Sequence, residues 1–288
     1  MMLRLETDFA LGTVQLGIPY GRNKGGSLCS IAEAENIFET AWQFGVRAFD
    51  TASGYGCAME RLANWLQATD RMNQAKVVNK VSPLDCLSKG ALDKACNPFR
   101  NAAQLDLLVH GFVGEADWTE FQNRAGERGA NPGLSVYTAD ELLHANALGA
   151  SLVQAPANAL DFRQLNAAKV AQQRTDFRSV FLQGLLLDSP EMAESRFPGS
   201  GIFPEAVESA SKALGISPQA ALIGAVLNAK KPLDRLVIGV DTPNEMAVWK
   251  EALAVSPNQS NRFITAVANE LKTAPSDSLL DPRTWPTK

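Results

Sequence analysis

Asp50, Tyr55, Lys80 and His110 are the residues of this 288-residue chain whose types could together move a proton to or from a carbonyl group. Taken singly, each has an ordinary structural use: Asp50 as a turn cap, Tyr55 as a loop aromatic, Lys80 as a solvated cation, His110 as a core histidine. Taken together they suit a relay. A phenol has a reference pKa of about 10, too high for an efficient acid near neutrality, and an adjacent ammonium lowers it by favouring the phenolate. A carboxylate beside the lysine holds it charged and oriented. A histidine can hydrogen-bond the carbonyl oxygen and share in the relay. The expected roles are therefore Tyr55 as general acid, Lys80 as the group that tunes it, Asp50 as the anchor of Lys80, and His110 as the residue that orients the substrate.

Such a set works only if the fold gathers it. Short apolar runs at 10–16, 46–50, 76–80, 105–110, 134–137, 152–154, 179–182 and 236–240 read as strands covered on both faces. Amphipathic segments lie between them. The stretch 31–44 brings Ile31, Ala34, Ile37, Phe38, Ala41 and Phe44 near one face, with Ser30 and Glu33 as a capping box and Gly45 as the C-cap glycine. Further helices are expected over 60–67, 88–95, 116–128, 139–148 and 218–228, and a less distinct one near 162–173. Unbroken alternation of this kind predicts an α/β chain folded as a single-domain (β/α)8 TIM barrel over 1–288, with an irregular tail at 275–288; an open doubly wound sheet is the alternative. In a barrel, functional residues sit at the C-terminal ends of the strands. Asp50 ends the second expected strand, Lys80 the third and His110 the fourth, while Tyr55 follows in the loop after the second.

Composition narrows the function classes. The net charge of −4 argues against nucleic acid and anionic membrane surfaces, which select basic patches. Four cysteines without CxxC spacing fit a reduced, cytoplasmic protein. Neither a signal peptide nor a bilayer-length apolar run is apparent. The two histidines lack metal-site spacing, and His144 reads as structural. No GxGxxG, Walker or GxSxG motif occurs. The basic loop 19–26 reads as a solvated loop, with a lid as the alternative, and the tail with Trp285 could wall a pocket.

The segment Phe49-Asp50-Thr51-Ala52-Ser53-Gly54-Tyr55-Gly56, with Glu60 after it, resembles the second-strand motif of the aldo-keto reductase superfamily. Val78-Asn79-Lys80 is similar to its lysine strand and Leu107-Leu108-Val109-His110 to its histidine strand. The resemblance runs from Leu11-Gly12-Thr13 to Ile238-Gly239-Val240. It implies reduction of an aldehyde or ketone, or oxidation of the corresponding alcohol or sugar, with a nicotinamide cofactor bound without a Rossmann domain. It also implies a small-molecule carbonyl substrate, with catalysis by Asp50, Tyr55, Lys80 and His110. By the same resemblance Gly12, Thr13 and Val14 approach the cofactor, together with Asp50. Ser135 and Gln154 hydrogen-bond the nicotinamide carboxamide, Phe181 stacks on its ring, and Gln183, Gly184, Leu185 and Leu186 contact the pyrophosphate. Gly239, Val240 and Thr242 complete the cofactor set.

Two departures stand out. Val136 replaces the asparagine that often follows the serine of the fifth strand. The loop after the eighth strand reads Asp241-Thr242-Pro243-Asn244-Glu245, where the family commonly supplies serine and a cation to the 2′-phosphate of NADPH. Thr242 and backbone N–H groups could still bind an anion, and an acidic residue suits a ribose hydroxyl. The resemblance keeps NADP(H) ahead of NAD(H). Two other functions fit these residues: a nicotinamide-binding sensor or auxiliary subunit with little turnover, and a lyase or isomerase using Lys80 as a Schiff-base nucleophile. Neither substrate identity nor oligomeric state is legible.

Overall fold

The protein is described from a computed structural model covering residues 2–21, 26–271 and 274–285. Eight parallel strands, β1 (Phe9–Gly12), β2 (Ala48–Asp50), β3 (Lys76–Val81), β4 (Gln104–Val109), β5 (Asn131–Ser135), β6 (Leu152–Pro156), β7 (Arg174–Arg178) and β8 (Arg235–Gly239), pair in sequence order and close into a barrel. Closure is made by β1 on β8, with Gly12 opposite Gly239. The fold is a single-domain (β/α)8 TIM barrel.

The period of two along each strand sorts its residues between two environments. Phe9, Leu11, Phe49, Val77, Leu107, Leu134, Val153, Phe177 and Leu236 belong to the large outer core shared with the helices. The inward residues form three layers. At the bottom, Asp106 is ion-paired with Arg174 at 2.6 Å and accepts a hydrogen bond from Asn131 at 3.0 Å, while Arg235 pairs with Asp176 at 2.8 Å. The middle layer is apolar, with Ala10, Ala48 and Val237 on one side and Val78, Leu108 and Leu152 on the other. The top layer carries Asp50, Lys80, Ser135 and Gln154. An apolar plug thus separates two polar layers, and the upper one faces the loops.

The helix Ile31–Gln43 forms as its pattern predicts. Ser30 Oγ accepts from Glu33 N, the Glu33 side chain accepts from Ser30 N, and Gly45 leaves the helix at φ 94°. Helices Ala58–Ala68, Lys89–Cys96, Glu115–Gly126, Ala139–Ala147, Arg163–Val170 and Pro218–Ala229 occupy the expected crossovers. Further helices, Met2–Asp8, Pro190–Arg196, Ile202–Leu214, Ala247–Ala254 and Pro257–Glu270, lie outside the expected set. No single helix among the described residues is long and apolar enough to cross a membrane.

The seventh strand differs from expectation. It is Arg174–Arg178, not 179–182. Its inward residues are Arg174, Asp176 and Arg178, so it lacks the apolar run that marks a strand covered on both faces. The segment 179–182 cannot extend it, because Ser179 (φ 64°) and Leu182 (φ 49°) adopt the left-handed region. The first strand is also shorter than expected: Val14–Leu16 turns into a 3-10 helix. The described part of the tail carries a helical turn at Asp277–Leu280 and a 3-10 turn at Pro282–Thr284. Trp285 donates Nε1–H to Leu279 O at 2.9 Å and packs on Phe197. Residues 22–25 of the basic loop lie outside the described residues.

Asp176 is wholly buried, and burial alone would raise its pKa. The guanidiniums of Arg235 and Arg174 outweigh that, and the carboxyl ends below its usual range. A depressed carboxyl pKa gives stability that is present above the unfolded value, about 4, and lost as pH falls through the folded one. Asp176→Asn leaves Arg235 buried without its counter-charge and is expected to cost about 3–5 kcal/mol at pH 7, with a shallower loss of stability on acidification than in the wild type. Urea denaturation midpoints at pH 7 and at lower pH check both statements.

Candidate active site

Asp50 and Lys80 end the inner faces of neighbouring strands, and they meet. Lys80 Nζ donates to Asp50 Oδ1 at 2.5 Å and Oδ2 at 2.7 Å, with Lys80 only 1% and Asp50 only 3% exposed. Gln154 Nε2–H donates to Asp50 Oδ1 at 2.7 Å, and Thr13 Oγ1–H to the Asp50 carbonyl at 2.9 Å. The carboxylate is thus fixed from β3 and β6, and the Asp50 backbone from the end of β1. Behind Lys80, Asn79 points the other way: its Nδ2–H donates to Ala95 O at 2.9 Å, tying β3 to the helix outside it.

Tyr55 is positioned by backbone rather than by a strand. Its loop packs so tightly on residue 17 that a Cβ there would fall 1.9 Å from the Tyr55 carbonyl, so only glycine fits. Gly56 leaves the loop at φ 56°, where a Cβ would meet Gly17 O at 2.3 Å. The ring then lies 5.2 Å from Lys80 Nζ and 6.3 Å from the His110 ring, edge to face at 84°. His110 follows β4, with its N–H held by Val81 O at 2.8 Å. The structure thus gathers Asp50, Tyr55, Lys80 and His110 at one rim.

Burial decides the protonation states. It raises the Tyr55 pKa, as does the Asp50 carboxylate, while Arg178 opposes. Lys80, whose charge is shared with Asp50, lies below the ring. Burial lowers the Lys80 pKa, and the Asp50 carboxylate resists. His110 is pushed down to about 4, first by burial and then by Lys80, Arg178 and Arg283. Tyr20, beside Tyr55, is pushed up to about 12, mainly by burial.

A cleft of about 620 Å³ opens over this rim. Asp50, Tyr55 and His110 line it, and Lys80 is closed off below. Gly12, Thr13, Val14 and Gln154 also line it. So do Phe181, Gln183, Gly184, Gly239 and Val240. Phe181 does so from the loop after β7, since that strand ends at Arg178. Ser135 does not reach the cleft; it is fully buried, with Oγ 3.5 Å from Gln154 Oε1. Leu185 and Leu186 are core residues, and Thr242 is exposed away from the lining. The lining residues not read from the sequence as site residues include Tyr20, Tyr137, Arg178 and Arg283. Arg178 was legible in principle, as the third charged residue of an Arg-x-Asp-x-Arg alternation. Tyr20, Tyr137 and Arg283 sit on loops and carry no such period.

The cleft suits an elongated ligand with polar edges. From Tyr55 it runs past Gly12 and Gly239 to Ser217 and Asn244. A Cβ on residue 239 would sit 2.0 Å from Gln15 Oε1, and that buried oxygen has no partner among the described residues. Among the described residues, no cluster of side chains could hold a metal ion.

Solved aldo-keto reductases are structural neighbours of this chain over nearly its full length, at low sequence identity. A glycerol dehydrogenase from Gluconobacter oxydans superposes with a TM-score of 0.71 at 15% identity, covering 93% of this chain and 94% of that one. An aldose reductase from Giardia lamblia gives 0.68 at 14% identity, covering 95% and 96%. An aldo/keto reductase from Klebsiella pneumoniae, solved in complex with NADP and acetate, gives 0.62 at 15% identity, covering 88% and 89%. No family model and no curated protein matches the chain.

With its pKa near 4, His110 is expected to stay neutral above about pH 5. Removing a nearby cation favours the imidazolium, so Arg178→Met should move that pKa upward. An NMR titration of the His110 ring reads both values; an unperturbed wild-type titration near 6.5 contradicts the assignment.

Proposed function

We propose that the protein is a nicotinamide-dependent oxidoreductase that reduces an aldehyde or ketone, or oxidises the corresponding alcohol or sugar. The observation that carries this reading is the buried Lys80–Asp50 ion pair beneath the Tyr55 phenol, with neutral His110 facing the same cleft. Tyr55 keeps its proton through neutral pH and can donate it to a carbonyl oxygen in the cleft. His110 offers a second hydrogen bond to that oxygen without competing as an acid. As the phenol gives up its proton, the phenolate that forms lies near the Lys80 ammonium and within the field of Arg178, which favour it over the buried alternative. In the oxidative direction the same phenolate takes the proton back.

A nicotinamide dinucleotide, when bound, supplies or accepts the hydride. The residues that would hold it are Gly12, Thr13 and Val14, Gly239 and Val240 at the strand ends, Gln154 supported by Ser135, and the loop carrying Phe181, Gln183 and Gly184. Leu185 and Leu186 would support that loop from the core. The far end of the cleft is lined by Asp241, Glu245 and Glu251. Glu245 accepts from Asp241 N at 3.0 Å, and Glu251 accepts from Ser217 Oγ at 3.0 Å. A carboxylate here can accept from a ribose hydroxyl, so NAD(H) fits beside the NADP(H) that the resemblance favours.

Tyr55→Phe removes the proton and keeps the ring. It is expected to lower kcat/KM for a generic aldehyde by at least about 100-fold, while the Kd for the nicotinamide cofactor changes little. Near-full activity in that variant sinks the role, and tight cofactor binding without turnover in the wild type makes the protein a sensor. The Kd of NADPH is expected to be equal to or lower than that of NADH, as read by fluorescence titration; a strong NADH preference overturns that ordering.

A further inference from the structure

The reductase reading gives two cations at the Tyr55 end of the cleft no contact with the substrate. Arg178 ends the inner face of β7. Its Nη2–H donates to Val136 O at 2.9 Å and Nη1–H reaches Ser179 Oγ at 3.4 Å. Its Nε–H is buried without a partner, and among the described residues no carboxylate lies within ion-pair distance. That sets it apart from Arg174 and Arg235 below it, each paired with an aspartate. Arg283 arrives from the other side of the sequence, on the 3-10 turn Pro282–Thr284. Both guanidiniums stack on Tyr137, with their central carbons 4.3 Å and 3.4 Å from the ring centroid. Arg178, Arg283 and Tyr137 all line the cleft with Tyr55 and His110.

The carboxylates around this platform are engaged by groups other than Arg178. Lys80 is matched by Asp50. Arg283 is held through Nε and Nη2 by Asp281, at 2.9 Å and 2.5 Å. Glu141 acts on Arg283 at longer range while capping Tyr137 N at 2.7 Å. Tyr20, Tyr55 and His110 are neutral. Arg178 feels Asp281 only at longer range and has no carboxylate within ion-pair distance among the described residues, and it is close enough to the catalytic groups to act on both Tyr55 and His110. A half-buried guanidinium whose Nε–H has no partner is costly to leave open and is completed by an anion. We propose that the substrate is a carbonyl compound that carries a carboxylate, received by Arg178 with Arg283 beside Tyr137. The proposal rests on the reductase reading and names the substrate class for it. A single charge and a planar fork suit a carboxylate better than a phosphate dianion, which would also meet Asp281.

The test uses the full chain as wild type, Arg178→Gln, Arg178→Lys and Arg283→Gln, and aldehyde pairs that differ in charge. These are glyoxylate, 4-oxobutanoate and 4-formylbenzoate, each with its methyl ester. In the wild type at least one acid is expected to exceed its ester in kcat/KM by about tenfold or more. That ratio should fall about tenfold in Arg178→Gln, less in Arg178→Lys, and less in Arg283→Gln, whose guanidinium is shared with Asp281. Esters turned over as well as every acid by the wild type overturn the proposal and leave the reductase reading standing. So does a larger preference for glyceraldehyde 3-phosphate over glyceraldehyde, which assigns the arginines to a phosphoryl group. Binding gives a readout independent of turnover: benzoate should raise the thermal midpoint more than benzamide, and the difference should vanish in Arg178→Gln. If no aldehyde reacts but this benzoate effect holds, the carboxylate site stands and the reductase reading falls. If neither is seen, both fall.

Discussion

A lysine ammonium buried inside a barrel must be matched by a charge, because leaving it unpaired costs several kcal/mol. Much of the upper half of this structure follows from how Lys80 is matched. Asp50 takes both of its short contacts, and Asp50 is itself held by Gln154 and Thr13. Those four residues come from β1 or its end, β2, β3 and β6. Their registers are locked to one another at the rim, where the twist of a barrel would otherwise leave side chains room to drift. The Tyr55 loop is then laid over the pair by the close approach of Gly17 and Gly56.

The same rule is applied at the other end of the barrel, where Asp106, Asp176, Arg174 and Arg235 compensate each other under the apolar middle layer. The difference between the two ends is instructive. Below, every arginine of the inner face has its aspartate. Above, Arg178 does not. One end is closed for stability, and the other is left with a charge to be completed in a cleft. Burial sets the remaining chemistry, since it keeps Tyr20 and Tyr55 as phenols and His110 as a neutral imidazole at the same mouth.

The cleft is also polar along its length. Arg178 and Arg283 lie at the Tyr55 end, and Asp241, Glu245 and Glu251 at the far end. A long ligand crossing this field is oriented by it: groups that accept hydrogen bonds are favoured near Tyr55, and groups that donate them are favoured near β8. The exposed Thr242, which the local sequence suggested as an anion contact, stays out of the lining, while its neighbours on the turn enter it.

The alternation of apolar runs with amphipathic segments pointed to a β/α barrel with an open sheet as the alternative, and it put Asp50, Lys80 and His110 at successive strand ends. Local signals of this kind survive in sequence because each rests on neighbours one to four residues apart, as the Ser30–Glu33 capping box does. Strand β7 escaped because its inward residues are charged, and their charge is tolerated only by partners on β4 and β8 that no local window contains. The pairing of Lys80 with Asp50, the demotion of Ser135 to a buried support, the platform of Tyr137 under two arginines, and the entry of Arg283 from the end of the chain are contacts between residues far apart in sequence. Only closure of the barrel brings them within reach. The residue types that could do chemistry were thus set by the sequence, whereas burial, charge balance and the choice of which cation stands free were decided by the tertiary structure.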